Sequence, residues 1–234
     1  MKVLSLFVTG TDTGIGKTFV SCALLYGFCA RYHRVAAFKP IAAGAVLRNG
    51  VWHNEDTDLL LEASNVALQP HLATPYLLRE SVAPNIGAAH QGVPLDISYI
   101  QACYYEVVQL ADVVIVEGVG GVCVPLDEIL DTSDLATVLK LPILLVVGLK
   151  LGCINHALLS AEAIAARGLV LSGWIANTVD PDMAFPTENI EAIKCRLDRQ
   201  YGAPLLGIIP HLDGQYSDKS AVSYINIDAL LKRL

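Results

Sequence analysis

The sequence has little charge and lacks the features that mark several protein classes. Only 17% of its 234 residues are charged, the formal net charge is −7, and no basic run occurs, which argues against a nucleic-acid partner. The six cysteines include no C-x-x-C pair, so we expect no zinc site or disulfide framework, and we interpret them as reduced core thiols of a cytoplasmic protein. The longest apolar stretch, Leu141 to Leu149, is about half of a membrane span, and the short apolar start does not lead into a cleavage site, so no membrane segment or signal peptide is expected.

Hydrophobic residues, by contrast, make up 53% of the chain, which suits a parallel sheet covered on both faces. Short apolar runs alternate with longer helical patterns. Strands are predicted at Val3–Thr9, Val35–Lys39, Val113–Glu117, Ile143–Gly148, Leu171–Asn177 and Leu205–Ile209. Helices are predicted at Gly16–Tyr32, Thr57–Ser64, Ile97–Leu110, Ser133–Lys140, Cys153–Arg167 and Thr187–Tyr201. The alternation predicts an α/β fold with a doubly wound, mostly parallel sheet flanked by helices, in a single domain over residues 1–234.

Sheets of this kind bind ligands at the carboxyl ends of their strands, so the residues just after each strand are the candidates for a site. The stretch from Gln69 to Pro94 contains Pro and Gly and is predicted to be a long connection within the domain. It is either a segment that covers the substrate or a plain structural excursion.

A glycine-rich loop follows the first predicted strand and precedes the first predicted helix. Its sequence, Gly-Thr-Asp-Thr-Gly-Ile-Gly-Lys-Thr over residues 10–18, allows backbone N–H groups and the helix N-terminus to converge on phosphate oxygens. Lys17 would reach the outer phosphates, and the Thr18 hydroxyl would bind Mg²⁺. Thr11 stands where the strict P-loop pattern has its first Gly. The context still predicts a phosphate-binding loop of P-loop NTPase type.

Three further charged residues are candidates for the site: two end predicted strands and one precedes a predicted helix. Glu117 ends an apolar strand and precedes a glycine turn, so we expect it to serve Mg²⁺ or nucleotide rather than to be an ordinary strand cap. Asp56 is either a metal ligand or a solvated helix N-cap. Lys39 is either a surface cation or a second positive charge that stabilises an anionic intermediate at the ligand edge.

Seven collinear motifs closely resemble those of the dethiobiotin synthetase family and span nearly the whole chain. They occupy residues 10–18, 38–44, 54–56, 116–121, 150–157, 173–177 and 204–210. The resemblance implies ATP- and Mg²⁺-dependent closure of a ureido ring, in which 7,8-diaminononanoate, CO₂ and ATP give dethiobiotin, ADP and phosphate. It also implies a homodimer.

The resemblance further implies roles for individual residues. Lys39 would be the main catalytic lysine with Lys17 beside it, and Thr18, Asp56 and Glu117 would bind Mg²⁺. The nucleotide would contact Gly14, Ile15, Gly16, Lys17, Thr18, Phe19, Asp56, Glu117, Gly118, Val119 and Gly120, with Asn177 reading the adenine and Pro210, His211 and Leu212 forming a further wall. Thr13 would approach the diamine, and Gly152 and Asn155 would bind its carboxylate across the dimer interface.

The chain departs from the family pattern at three places. Ala43 stands where many relatives have Ser, Gly14 replaces a commonly acidic residue, and no glutamate follows Pro210, which leaves Asp213 or Asp218 for the ribose. The main rival interpretation is a partition or septum-placing ATPase, but such loops carry a lysine five positions before the main one, where this chain has Asp12. A cobyrinate-type synthase is the other rival, and it is expected to need an added glutamine-hydrolysing domain.

Overall fold

A computed structural model describes residues 3–212 and 218–234. Within these residues the strands are β1 (Leu4–Gly10), β2 (Val35–Phe38), β3 (Ile41–Ala43), β4 (Val46–Arg48), β5 (Val51–His53), β6 (Tyr76–Leu78), β7 (Val113–Glu117), β8 (Ile143–Leu149), β9 (Leu171–Thr178) and β10 (Leu205–Ile209). The α-helices are α1 (Lys17–Cys29), α2 (Glu55–Ala63), α3 (Pro70–Ala73), α4 (Pro84–Gln91), α5 (Ile97–Leu110), α6 (Thr132–Leu139), α7 (Cys153–Ala166), α8 (Pro186–Tyr201), α9 (Asp218–Ala221) and α10 (Ile227–Leu231).

The central sheet has six strands in the order β10-β9-β8-β1-β7-β2, and all of its pairings are parallel. From β1 the chain crosses to β2 at one edge, returns to β7 beside β1, and then moves outward through β8, β9 and β10 on the other side. The strand order thus reverses at β1, so the crevice for a ligand lies at its carboxyl end. This arrangement confirms the predicted α/β fold. All six predicted strands and all six predicted helices are present, with ends shifted by up to three residues.

Each face of the central sheet buries its own apolar cluster because successive side chains of a strand point to opposite faces. In β1, Phe7 packs in the cluster that contains Trp174, whereas Leu6 and Val8 pack in the cluster that contains Phe28 of α1. Every residue of β7 and β8 is buried, as expected for strands covered on both faces.

The observed helix starts follow from local capping. Helix α2 begins two residues earlier than predicted because Asn54 is its N-cap and accepts a hydrogen bond from the Thr57 amide at 3.2 Å. Helix α1 begins at Lys17 because Gly16 adopts the left-handed conformation, with φ of 82°. The predicted strand Val35–Lys39 ends one residue early, at Phe38.

The segment from Gln69 to Pro94, predicted to be a long connection that either covers the substrate or is a structural excursion, has secondary structure of its own. It contains α3, β6 and all of α4, and β6 pairs in parallel with β3 in a small second sheet. Strands β4 and β5 form an antiparallel hairpin around Asn49 and Gly50, which both have positive φ.

Both edges of the central sheet are covered by the chain itself. On the outer side of β2, the Val35 amide donates to Oδ1 of Asn65 at 2.6 Å. On the outer side of β10, the Leu206 carbonyl accepts from the Asn226 amide at 2.7 Å. Edge strands with satisfied main-chain groups offer little to a strand from another molecule.

All six cysteines are free, and their environments differ. Cys22, Cys103 and Cys153 are buried, Cys29 is half-buried, and Cys123 and Cys195 are exposed. The expectation of core thiols is therefore wrong for Cys123 and Cys195. Over the described parts of the chain, we find no helix with both the length and the apolar character needed to cross a bilayer.

Candidate functional site

The glycine-rich loop joins the carboxyl end of β1 to the start of α1, as predicted. Gly14 and Gly16 have φ of 71° and 82°, the left-handed region that favours glycine. Asn177, at the end of β9, donates a hydrogen bond from Nδ2 to the Ile15 carbonyl at 2.8 Å. A Cβ on Gly16 would lie 2.3 Å from the same Asn177 nitrogen, so the loop and β9 are closely packed at this point.

A cleft of about 1070 Å³ opens above this loop at the carboxyl edge of the sheet. It is lined by Thr11, Asp12, Thr13, Gly14, Gly16, Lys17, Thr18, Lys39, Ala43, Asp56, Ser81, Val82, Ala83, Pro84, Val119, Gly120, Gly121, Val122, Cys123, Val124, Leu159, Ser160 and Ala163. This volume is at the upper end of the range for small-molecule pockets, about 300–1,000 Å³, and has room for a nucleotide with a second small substrate.

Lys17 is the first residue of α1 and is only 8% exposed. Its ammonium nitrogen donates to the backbone carbonyl of Asp12, in its own loop, at 3.0 Å. Burial, together with the nearby charge of Lys39, lowers the pKa of Lys17 from 10.5 to about 8. A phosphate group in the loop would supply the opposite charge that this ammonium lacks.

Lys39 is not a surface cation, because it is only 3% exposed and lies between two carboxylates. Its ammonium nitrogen is 2.5 Å from Oε1 of Glu117, 3.0 Å from Oδ2 of Asp56 and 3.4 Å from the Gly118 carbonyl. Burial alone would lower the pKa of Lys39, but the charges of Glu117 and Asp56 outweigh it and raise the pKa above its ordinary value. Lys39 is therefore a charged group at the cleft.

Glu117 is fully buried at the end of β7, so it is not a solvated strand cap. Its Oε1 accepts from Lys39 and, at 2.9 Å, from the Thr18 hydroxyl, while its Oε2 has no hydrogen-bond partner in the described structure. Burial opposes ionisation of Asp56, but Lys39 and then the Thr18 hydroxyl lower its pKa. Two carboxylates and a hydroxyl form the hard oxygen donor set that suits Mg²⁺, and the unpartnered Oε2 fits a metal ligand. Asn54 is the N-cap of α2, so Asp56 does not have that role.

A third lysine, which the sequence did not single out, contacts the same loop. The Lys150 ammonium lies 2.9 Å from Oδ2 of Asp12, and Oδ1 of Asp12 accepts from the Thr13 amide at 2.8 Å. The hydrogen bond from Lys150 and the one from the Thr13 amide lower the pKa of Asp12. Asp12 is thus ionised and held from both sides.

The cleft brings together many of the predicted site residues but not all of them. Thr13, Gly14, Gly16, Lys17, Thr18, Lys39, Asp56, Val119 and Gly120 line it. Outside the lining are Ile15, Phe19, Glu117, Gly118, Asn177, Gly152, Asn155, Pro210, His211 and Leu212. Gly152 and Asn155 are exposed at the start of α7, and Nδ1 of His211 is 3.3 Å from the Thr178 carbonyl. Asp213 and the side chain of Asp218 lie outside the described residues.

Residues 81–84 belong to the segment Gln69–Pro94, for which the sequence left a substrate-covering role open, whereas the lining residues of α7 were not predicted. Residues 81–84, which precede and begin α4, close one side of the cleft, and Leu159, Ser160 and Ala163 of α7 close another. In the sequence, the features that could have indicated these residues are Pro84 at the first position of a helix and the three- and four-residue spacing of the α7 residues. Neither signal distinguishes a cleft from a core.

Comparisons with known proteins agree with this geometry. A family model described as an AAA domain matches residues 5–216. A chain of the MinC:MinD cell division protein complex of Aquifex aeolicus superposes with a TM-score of 0.56 at 15% identity, over 98% of this chain and 95% of that one. A ParA family ATPase from Chlorobium tepidum TLS superposes with a TM-score of 0.56 at 14% identity, over 100% and 98% of the two chains. These likenesses show the fold of a P-loop ATPase, and the match over residues 5–216 shows that the chain belongs to the AAA domain family.

Proposed function

We propose that this chain is an ATP- and Mg²⁺-dependent cyclo-ligase of the dethiobiotin synthetase type. Its substrates would be 7,8-diaminononanoate, CO₂ and ATP, and its products dethiobiotin, ADP and phosphate. The AAA domain family to which the chain belongs includes dethiobiotin synthetase. The seven collinear motifs support this member of the family, and they fall on the phosphate loop, on Lys39 and on Glu117.

The observation that carries the proposal is the position of two lysines on one cleft. Lys17 begins the helix of the first β-α unit, and Lys39 directly follows the next strand, β2. Both lysines line the cleft above the phosphate loop. Each is almost fully buried. Positive charge in a water-poor site stabilises transferring phosphoryl groups and other anions more strongly than the same charge in water.

The proposed reaction has three steps that need such charge. One amine of the diamine attacks CO₂ and loses a proton to give a carbamate. The carbamate oxygen attacks the γ-phosphorus of ATP, so that ADP leaves and a carbamoyl phosphate anhydride forms. The second amine then attacks the carbonyl carbon of this anhydride and loses a proton, phosphate leaves, and the ureido ring closes. Lys17 would hold the phosphates, and Lys39 would hold the carbamate oxygen near them.

Thr18, Asp56 and Glu117 are the residues that would hold Mg²⁺. When bound, the ion would neutralise charge on the ATP phosphates. The side chains themselves are already arranged: Glu117 is fixed by Thr18 and Lys39, and Asp56 is fixed by Lys39. The homodimer, the carboxylate-binding role of Gly152 and Asn155, and the cytoplasmic location remain part of the proposal.

The partition-type ATPase is the rival function, and it rests on the likeness to MinD and ParA structures at 14–15% identity. That likeness concerns the fold. The position that would carry the additional loop lysine is Asp12, whose carboxylate is occupied by Lys150. A switch protein would show ATP-dependent association without a diamine-dependent product.

A direct assay is the incorporation of labelled bicarbonate into an acid-stable product in the presence of ATP, Mg²⁺ and the diamine. We expect label to appear in a cyclic urea in proportion to the ADP formed, and to vanish when the diamine or ATP is omitted. ATP hydrolysis that does not depend on the diamine and leaves no acid-stable label would reject the proposal and favour the switch protein.

A further inference from the structure

Asp12 places a negative charge inside a loop shaped to receive phosphates. It lies in the turn between Thr11 and Thr13, and it lines the cleft with Lys17 and Thr18. A carboxylate beside a polyanion raises the free energy of the bound state unless another charge neutralises it. The backbone carbonyl of the same residue accepts the Lys17 hydrogen bond at 3.0 Å, so the position of Asp12 also affects the main phosphate-binding lysine.

Lys150 supplies the neutralising charge from a different part of the chain. It follows β8 directly, 138 positions from Asp12, and its ammonium lies 2.9 Å from Oδ2. Its carbonyl accepts a hydrogen bond at 3.0 Å from the amide of Cys153, the first residue of α7, which fixes the turn on which it lies. The charges of His156, one turn into α7, and of Lys17 also interact with Asp12.

The exposure of the pair argues against a role in folding. The side chains of Lys150 and Asp12 are 38% and 44% exposed, and ion pairs at this exposure contribute little to stability. The carboxylate is nevertheless in a specific place, because Oδ1 is fixed by the Thr13 amide at 2.8 Å. The pair is therefore better suited to shaping the electrostatics and geometry of the loop than to stabilising the protein.

We propose that Lys150 is a positioning residue of the phosphate loop, whose ammonium neutralises and orients Asp12 so that the loop can accept a polyanionic nucleotide. The proposal rests on the nucleotide-binding part of the proposed function and adds a residue to it. It also connects the loop to the start of α7, where Gly152 and Asn155 lie.

The test is a double-mutant cycle on nucleotide affinity, measured by calorimetry with MgATP and with MgADP in the absence of diamine and bicarbonate. Lys150→Met should raise the Kd by about tenfold, the effect of one uncompensated charge near an anionic ligand in a partly screened site. Asp12→Asn keeps an oxygen for the Thr13 amide and should bind within about twofold of the wild type. The double variant should return to within about threefold of the wild type, because no charge is left to neutralise.

Lys150→Arg is the matched control, because it keeps the charge and should retain most of the affinity. Thermal unfolding of every variant verifies that the loop is tested in a folded protein. A double variant as weak as Lys150→Met would show that Lys150 contacts the nucleotide directly or acts only through α7, and would overturn the proposal, as would unchanged affinity in Lys150→Met. Because no diamine is present, failure of dethiobiotin synthesis in the assay above would leave this result intact.

Discussion

The Lys39 ammonium lies 2.5 Å from Oε1 of Glu117, and the side chains of these two residues are only 4% and 0% exposed. Their charges therefore depend on each other for stability as well as for chemistry. Breaking a buried pair by removing one partner leaves an uncompensated charge, which is strongly destabilising. Variants of this pair must be analysed for folding before their kinetics are interpreted.

Replacing Lys39 by Met should therefore both destabilise the protein and slow turnover. We expect a loss of roughly 3–5 kcal/mol in the free energy of unfolding, because Glu117 would keep a buried charge with no cation beside it. Urea denaturation measures this loss. The double variant Lys39→Met/Glu117→Gln should recover most of the stability while staying inactive, and a single variant as stable as the double one would contradict the prediction.

Glu117→Gln should weaken Mg²⁺ binding, because the substitution removes the negative charge of Glu117 and alters its buried acceptor Oε2. The Mg²⁺ concentration at half-maximal activity should rise roughly tenfold or more, with a lower maximal rate. Glu128→Gln is a suitable control, since Glu128 is an exposed carboxylate outside the cleft lining. An identical metal titration for Glu117→Gln and the control would remove Glu117 from the metal site.

Nucleotide binding should be coupled to protonation of Lys17. The pKa of this residue is about 8 in the nucleotide-free fold and 10.5 when unperturbed, so a bound polyanion should raise it and draw in a proton. Calorimetry at pH values just above 8, in buffers with different ionisation enthalpies, should reveal proton uptake on binding. Lys17→Arg stays charged and should show none of this additional uptake.

The lowered pKa of Lys17 also determines how its contribution to protein stability changes with pH. Between pH 8 and 10.5 the unfolded chain holds more of this proton than the folded chain does. The contribution of Lys17 to the stability of the nucleotide-free protein should thus rise as the pH increases from 8 to 10.5. Below pH 8 the charged Lys17 destabilises the fold by the full cost of its burial. A comparison of thermal unfolding between the wild type and Lys17→Met across this range isolates the contribution.

Two glycines of the phosphate loop should differ in their tolerance of Ala. Both have positive φ, which costs a non-glycine residue about 1–2 kcal/mol. A Cβ at Gly14 meets nothing within 4 Å, whereas a Cβ at Gly16 would lie 2.3 Å from the Asn177 side chain. Gly16→Ala should therefore weaken ATP binding by at least about tenfold more than Gly14→Ala. Equal affinities would mean that Asn177 moves aside freely.

The sequence was sufficient to predict the central fold, because the strands of the main sheet are continuous apolar runs such as Ile143–Leu149. It was not sufficient for β3, β4, β5 and β6, which have three residues each and too little periodicity to detect. The position of the phosphate loop followed from local sequence. The burial of Lys39 did not, because its partners Asp56 and Glu117 lie 17 and 78 positions away.

The ion pair of Asp12 and Lys150 illustrates the same limit more sharply. Neither segment indicates that the two residues meet, and they are 138 positions apart. Only the adjacency of β1 and β8 in the sheet brings the end of one strand next to the loop after the other. Strand order, which single-sequence patterns do not encode, thus determines a contact in the candidate site.

The covered edges of the central sheet restrict how the protein can assemble with other molecules. Val35 and Leu206, on the two outermost strands, bond to Asn65 and Asn226 of the same chain. Growth of a continuous intermolecular sheet, the route to fibres, is therefore opposed at both ends. Copies of the chain that pair should therefore do so through helical faces and loops rather than through the sheet.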